Sequence, residues 1–83
     1  MTAEEQKMVD IILRLIRKTN VTIDENTLLV SSGLVDSMAL GDLLLELEDL
    51  TNMRIPAGKV RPKDLDTVAM MFATAARVGK PQK

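Results

Sequence analysis

The 83-residue sequence contains no cysteine, no histidine, no tryptophan and no tyrosine, and Phe72 is its only aromatic residue. Without cysteine the chain cannot form disulfides, thiolate metal sites or a cysteine nucleophile. Without histidine it lacks the commonest general base and the commonest metal ligand, so we predict no metal site and no enzymatic activity of its own. The shortage of aromatic rings argues against the stacking platforms that bind single-stranded nucleic acids.

A strong excess of one charge is also lacking, because 11 basic and 12 acidic residues give a net charge of −1. This balance argues against a nucleic-acid partner, whose phosphates attract clusters of lysine and arginine. No run approaches the roughly eighteen apolar residues of a membrane span. Residues 1–10 are polar and acidic, unlike a secretory signal. We therefore expect a cytoplasmic monomer without a membrane partner, and we interpret Met1 as the start of a free-standing chain.

The chain length indicates a single domain over residues 1–83, because longer chains than this still fold around one core. Apolar residues at helical spacing predict a first helix from Ala3 to Lys18. Thr2 followed three residues later by Glu5 is typical of a capping box, which starts a helix by pairing its first free N–H groups.

A second helix is predicted from Ser37 to about Thr51, with Asp36 as its N-cap. Its apolar stripe repeats at the i, i+4, i+7 positions Leu43, Leu47 and Leu50. Acidic residues occupy the other side of this helix, which has no basic residue. We expect that side to face solvent.

Pro56 and Pro62 bracket a segment that has room for only a short third helix, around Ala57 to Arg61. The predicted fold is therefore all-α, a small bundle of three main helices plus one short helix. We expect no stable sheet, because Val21-Thr22-Ile23 alternates like a strand but has no second strand to pair with.

The last helix is predicted to begin after a cap at Asp64 or Asp66 and to run to about Arg77. Residues 79–83 begin with Gly-Lys-Pro, which ends a helix, and we expect them to form a loose tail. The predicted buried face of this last helix consists of Val68, Met71, Phe72 and Ala75.

The connection from Thr19 to Asp36 is longer than most loops in compact domains. It carries too many apolar residues to remain in water, so we expect it to pack across the ends of the helices. We predict that Leu28, Leu29 and Leu34 fasten it to the core.

One short motif, Gly-Leu-Val-Asp-Ser-Met at residues 33–38, points to chemistry. It places Ser37 at the first position of a helix, where free backbone N–H groups gather and favour an attached anion such as a phosphodiester. From spacing alone, capping is the simpler interpretation of Asp36 and Ser37. With no histidine to activate the hydroxyl, a serine hydrolase is excluded.

The order of these parts resembles the acyl carrier protein family, which includes peptidyl and D-alanyl carriers. The resemblance covers nearly the whole chain, from the first helix and long loop through the motif at residues 33–38 to Ile55-Pro56 and the last helix opened by Asp66-Thr67-Val68. The acidic second helix lies between those motifs, as it does in this family.

The resemblance implies that Ser37 carries a covalent 4′-phosphopantetheine arm, transferred from coenzyme A by a separate phosphopantetheinyl transferase that brings Mg²⁺. An acyl or aminoacyl group would be held on the arm's thiol as a thioester. Asp36 would engage the transferase and its metal, and Met38 would be an apolar contact beside the arm. The other partners implied are a loading enzyme and downstream acyl-transferring enzymes.

The acidic residues Asp42, Glu46 and Asp49 of the second helix are ordinarily a solvated face, but the resemblance implies that they dock partners. An acyl pocket between the second and third helices would have walls from Leu44, Leu45, Met53 and Val60, which ordinary core packing explains equally well.

The chain also departs from the fatty-acid-synthesis type of carrier, which is strongly acidic, whereas this chain is nearly neutral. Its short third helix is basic, with Lys59, Arg61 and Lys63. We therefore expect a carrier of a specialised biosynthetic pathway. The alternative is a small helical adaptor that binds partners through its acidic helix and is never modified.

Overall fold

The computed structural model describes residues 1–17 and 21–81. Its three α-helices are α1 (Ala3–Ile16), α2 (Ser37–Thr51) and α3 (Val68–Val78). The predicted small helical fold is confirmed. In place of the short third helix there are two 3₁₀ helices, Ala57–Lys59 and Pro62–Leu65. Val60 and Arg61 between them are extended, and a residue that precedes a proline disfavours the helical conformation.

Helix α1 begins at the predicted capping box. The Thr2 N–H donates to the Glu5 carboxylate at 2.7 Å, and the Glu5 N–H donates to the Thr2 hydroxyl at 3.1 Å. The helix ends at Ile16, because Arg17 takes the left-handed conformation with φ 55° and donates its N–H to the Leu13 carbonyl. The predicted end at Lys18 lies outside the described residues.

The core receives one face from each helix together with part of the long loop. Its buried apolar residues are Met8, Val9 and Ile12 of α1, Leu43 and Leu47 of α2, Val68, Met71 and Ala75 of α3, and Ile23, Leu29, Val35, Ile55 and Leu65 outside the helices. Burying one large apolar side chain stabilises the fold by about 1.5–3 kcal/mol. The prediction for α3 was partly wrong, since Phe72 is half-buried whereas Thr74 is buried.

Helix α3 is capped by Thr67 and not by either predicted aspartate. The Thr67 hydroxyl accepts the Met70 N–H at 3.0 Å. Asp64 instead caps the second 3₁₀ helix by accepting the Arg61 N–H at 2.9 Å. Asp66 is unavailable as a cap because its carboxylate binds the long loop.

A short antiparallel pair of strands corrects the expectation of no sheet. Strand β1 (Met53–Arg54) pairs with β2 (Lys80–Pro81), with Met53 opposite Pro81. The predicted loose tail is therefore held as far as Pro81, while residues 82–83 lie outside the described part. A Cβ on Gly79 would collide with the Ala75 carbonyl oxygen, so a glycine allows the chain to leave α3 toward β1.

Candidate functional site

The turn before α2 presents Ser37 as predicted. Gly33 has φ 82°, a left-handed conformation that glycine adopts without a steric penalty. Asp36 is the N-cap of α2, and its carboxylate accepts the Ala39 N–H at 2.9 Å. Ser37 is then the first residue of the helix.

The side chains at this turn are open to solvent. Asp36, Ser37 and Met38 are all exposed, and the Met38 side chain retains 87% of its accessible surface. The first N–H groups of a helix have no intrahelical acceptor. The N–H groups of Ser37 and Met38 form no hydrogen bond with any other described residue. An anion attached at the hydroxyl would meet these donors.

The three serines of the chain differ in how their hydroxyls are used. The Ser31 hydroxyl donates to the Asp66 carboxylate, and the Ser32 hydroxyl donates to the Leu28 carbonyl at 2.6 Å. The Ser37 hydroxyl forms no hydrogen bond within the described residues. It is therefore the serine whose oxygen is free for modification.

The Asp66 carboxylate fastens the loop that leads to this turn. One carboxylate oxygen accepts the N–H groups of Leu29, Val30 and Ser31 at 3.1, 2.8 and 3.0 Å, and the other accepts the Ser31 hydroxyl. Asp66 is buried, with 8% of its surface exposed. The Ser31 hydroxyl, with help from these N–H groups, lowers the pKa of Asp66 below its usual value.

The packing of this loop was only partly predicted. Leu29 is fully buried and Leu34 is half-buried, but Leu28 is 52% exposed, so its predicted role as a core contact was wrong. The N–H of Leu29 also donates to the Asp66 carbonyl at 2.7 Å. Leu29 is thus held against the segment before α3, while Leu28 beside it remains in solvent.

A second turn fastens the start of the described loop. The Asp24 carboxylate accepts the Asn26 N–H at 2.8 Å and the Thr27 hydroxyl at 3.1 Å. These hydrogen bonds lower the pKa of Asp24 below its usual value, and the bond from the Asn26 N–H contributes most. The Ala69 N–H then donates to the Glu25 carbonyl at 3.0 Å, which joins the turn to α3.

The acidic residues predicted to dock partners form what we call the acidic strip, comprising Asp36, Asp42, Glu46 and Asp49. Glu46 is half-buried and the other three are exposed. None of them has an ion-pair partner among residues 1–17 and 21–81. The fifth acid of this region, Glu48, has a structural task, since it accepts the Ile55 N–H at 2.7 Å.

Leu45 is an exposed apolar residue beside the acidic strip, with 61% of its surface accessible. It lies seven residues after Met38 and therefore on the same side of α2. The prediction that Leu45 is a pocket wall was wrong. Leu45 is two positions after the buried Leu43, which places it on the opposite side of a helix with 3.6 residues per turn. Helical spacing alone therefore predicts that Leu45 is exposed.

A cavity of about 230 Å³ opens between α2 and the two 3₁₀ helices. It is lined by Leu40, Gly41, Leu44, Ala57, Val60, Arg61, Pro62 and Leu65. Two of the predicted walls, Leu44 and Val60, belong to it, whereas Met53 is not part of the lining.

Of the basic residues in the segment after α2, Arg61 lines this cavity. Lys59, Arg61 and Lys63 are exposed, in agreement with the basic segment in the sequence. The ion pair found among the described residues, Arg77 with Asp64 at 3.8 Å, involves none of them.

Comparison of the chain with protein-family models, with curated proteins and with solved structures finds no match in any of the three. The described helices are all too short or too polar to cross a membrane. Within the described ranges no three acidic side chains converge as a metal site.

Proposed function

We propose that this protein is a carrier of the acyl carrier protein type. It holds an acyl or aminoacyl group as a thioester on a 4′-phosphopantetheine arm attached to Ser37, and it presents this group to enzymes of a specialised biosynthetic pathway. The observation that supports this most strongly is the exposed Ser37 hydroxyl, which is free of internal hydrogen bonds at the first residue of α2.

The residues around Ser37 fit a phosphodiester-linked arm. The free N–H groups and the dipole of α2 stabilise an attached phosphate by roughly 0.3–1 kcal/mol. This is too little to drive the transfer from coenzyme A, so a separate transferase with Mg²⁺ supplies the chemistry. When attached, the arm supplies the thiol that a chain without cysteine lacks.

The surface next to Ser37 leaves room for the arm. Gly41 lies one turn further along α2, on the same side of the helix. A Cβ added to Gly41 would meet no atom within 4 Å. The cavity between α2 and the 3₁₀ helices therefore begins one turn from the point of attachment.

The acidic strip is the docking surface in this proposal. Its charges are unpaired and lie along the helix that begins with Ser37, so they attract a basic patch on a transferase or a loading enzyme. Met38 and Leu45 add exposed apolar contacts on the same helix. Asp36 is next to Ser37 and is suited to engage the transferase and its metal.

The second candidate is an adaptor that binds partners through α2 without being modified. The observation that favours it is the pair of exposed apolar side chains, Met38 and Leu45, between acidic residues. Such a mixture of apolar and charged groups is typical of a protein-binding surface whether or not a serine beside it is modified.

Incubation with coenzyme A and a broad-specificity phosphopantetheinyl transferase tests the carrier proposal. The intact mass should rise by one phosphopantetheine group, and peptide mapping should find the group on Ser37. Ser37→Ala should abolish the mass increase and leave helix content unchanged, because Asp36 provides the cap.

Ser32→Ala is the matched control, since it removes an exposed hydroxyl five residues away and should load like the wild type. A wild-type chain that resists several transferases, or an arm found on Ser31 or Ser32, would contradict the carrier proposal. That result would favour the adaptor.

A further inference from the structure

The cavity beside α2 has one charged residue in an otherwise apolar lining. Leu65 forms a buried floor and Leu40, Leu44 and Val60 are half-buried walls. Arg61 is exposed at the rim and is the lining residue with a charge. A site with apolar walls and one polar group orients its ligand through that group.

The guanidinium of Arg61 is available to a ligand. It forms no ion pair with a described residue. The nearest carboxylate along the chain, Asp64, accepts the backbone N–H of Arg61 with one oxygen and lies 3.8 Å from Arg77 with the other. Arginine pairs with carboxylates and phosphates through two parallel N–H donors, and this pairing favours an anionic group over a neutral or cationic one.

The volume indicates how many ligand atoms the cavity can surround. A dry apolar cavity of about 150 Å³ holds benzene, which has six carbon atoms. By proportion, the 230 Å³ here accommodates roughly eight or nine non-hydrogen atoms. The space is open to solvent, so most of a long fatty chain would extend beyond it, whereas a short chain with a terminal carboxylate matches both the volume and the charge.

We propose that this cavity is a binding site for a short aliphatic group that ends in a carboxylate, with the chain against Leu44, Val60 and Leu65 and the carboxylate on Arg61. The site itself depends on the cavity and on Arg61. The further statement that such a group is the carried cargo rests on the proposed function, because it requires an arm on Ser37.

Titration of the full-length unmodified protein with sodium hexanoate, followed by amide chemical shifts, tests the site. Shifts should concentrate in residues 40–44 and 57–65. Hexan-1-ol has the same chain without the charge and should bind about threefold to fivefold more weakly, which is the upper part of the range for an exposed ion pair. Sodium acetate, which has the charge without the chain, should cause no concentrated shifts.

Three variants sharpen the test. Arg61→Gln should weaken hexanoate about threefold to fivefold and leave hexan-1-ol unchanged. Lys59→Gln removes a neighbouring cation that does not line the cavity and should bind hexanoate like the wild type. Gly41→Leu should weaken both ligands by filling the cavity entrance while raising Tm, because glycine is a poor helix former.

Equal affinity for hexanoate and hexan-1-ol would overturn the proposal, as would equal weakening by Arg61→Gln and Lys59→Gln. A chain that loads on Ser37 but ignores hexanoate would overturn it too, while the proposed function would stand. A chain that binds hexanoate through Arg61 but never loads on Ser37 would support the site and contradict the carrier.

Discussion

The loop before α2 and the start of α2 itself are held in opposite ways. Residues 29–31 form four hydrogen bonds with the buried Asp66 carboxylate. Residues 36–38 are exposed, and the Asp36 side chain bonds only within its own helix. The first segment is joined to the rest of the molecule, and the second projects from it.

The difference separates two uses of an aspartate in this chain. Asp66 is bound by groups 35 to 37 residues away and determines where the loop lies. Asp36 is bound by Ala39, three residues on, and determines where α2 begins. Together they hold Ser37 at a defined position with its hydroxyl exposed, as the proposed attachment of an arm requires.

The largest expected effect separates two adjacent leucines of the same loop. Leu29→Ala should lower the free energy of unfolding by about 2–5 kcal/mol, because Leu29 is fully buried. Leu28→Ala should change it by at most about 0.5 kcal/mol, because most of that side chain remains in water. Urea unfolding followed by circular dichroism measures both. Equal losses would show that the loop is not packed as described.

The next largest difference in the free energy of unfolding is expected between variants of the two aspartates, Asp66 and Asp36. Asp66→Ala should cost about 3 kcal/mol, because it leaves backbone N–H groups of residues 29–31 without their charged acceptor. Asp36→Ala removes a local cap and should cost about 1 kcal/mol. The same urea unfolding series gives both values. A loss for Asp36→Ala as large as that for Asp66→Ala would remove the distinction between the two segments.

The dependence of stability on pH should reflect the ionisation of the Asp66 carboxyl group. Hydrogen bonds from Ser31 and its neighbours lower the pKa of Asp66 in the folded state. The stability contributed by the ionised carboxylate is therefore complete above the unfolded pKa, which is about 3.9. It is lost as the pH falls through the lower folded pKa.

Asp66→Asn should reduce the loss of stability at acidic pH without abolishing it. The remaining loss is expected because the pKa of Asp24 is also lowered and acts in the same direction. Urea midpoints measured from about pH 6 to about pH 2 provide the comparison. If Asp66→Asn loses as much stability at acidic pH as the wild type does, this carboxylate is not ionised and bound in the folded protein.

Changes in the exposed acidic strip should affect the stability of the fold least, and their expected effect is on the rate of loading. Reversing Asp42 and Glu46 to lysine should slow phosphopantetheine loading about tenfold or more at low ionic strength, because steering by charge is lost. The difference should shrink as salt screens the charges. The double variant Glu4→Lys with Asp10→Lys makes the same change of net charge on α1 and should load like the wild type. Equal rates for both double variants would exclude the strip from docking.

Features that depend on nearby residues were predictable from the sequence. The capping box of Thr2 and Glu5 and the cap of α2 at Asp36 are both confirmed, because each bond spans three residues. The position of Ser37 at the start of α2 followed from that cap. Its chemical role stays a prediction, because modification depends on a second protein.

Features that depend on distant residues were missed. Leu28 and Leu29 are identical neighbours, and only in the folded chain is Leu29 buried and bonded to Asp66 while Leu28 is exposed. Asp66 was assigned to a helix cap, because a carboxylate before a helix ordinarily fills that role. The pairing of β1 with β2 joins segments of two residues, too short to leave an alternating pattern in the sequence.

The residues alone were enough to predict α1, α2 and α3, to place the start of α2 at Ser37, and to exclude cysteine and histidine from its chemistry. Periodicity and caps act over a few residues, so they can be read without knowing the fold. That Asp66 holds the loop, and that Arg61 lies at the rim of an apolar cavity, could be learned only from the folded chain. Both depend on which distant segments the buried core brings together, and a hydrogen bond or a cavity wall exists only after that packing has occurred.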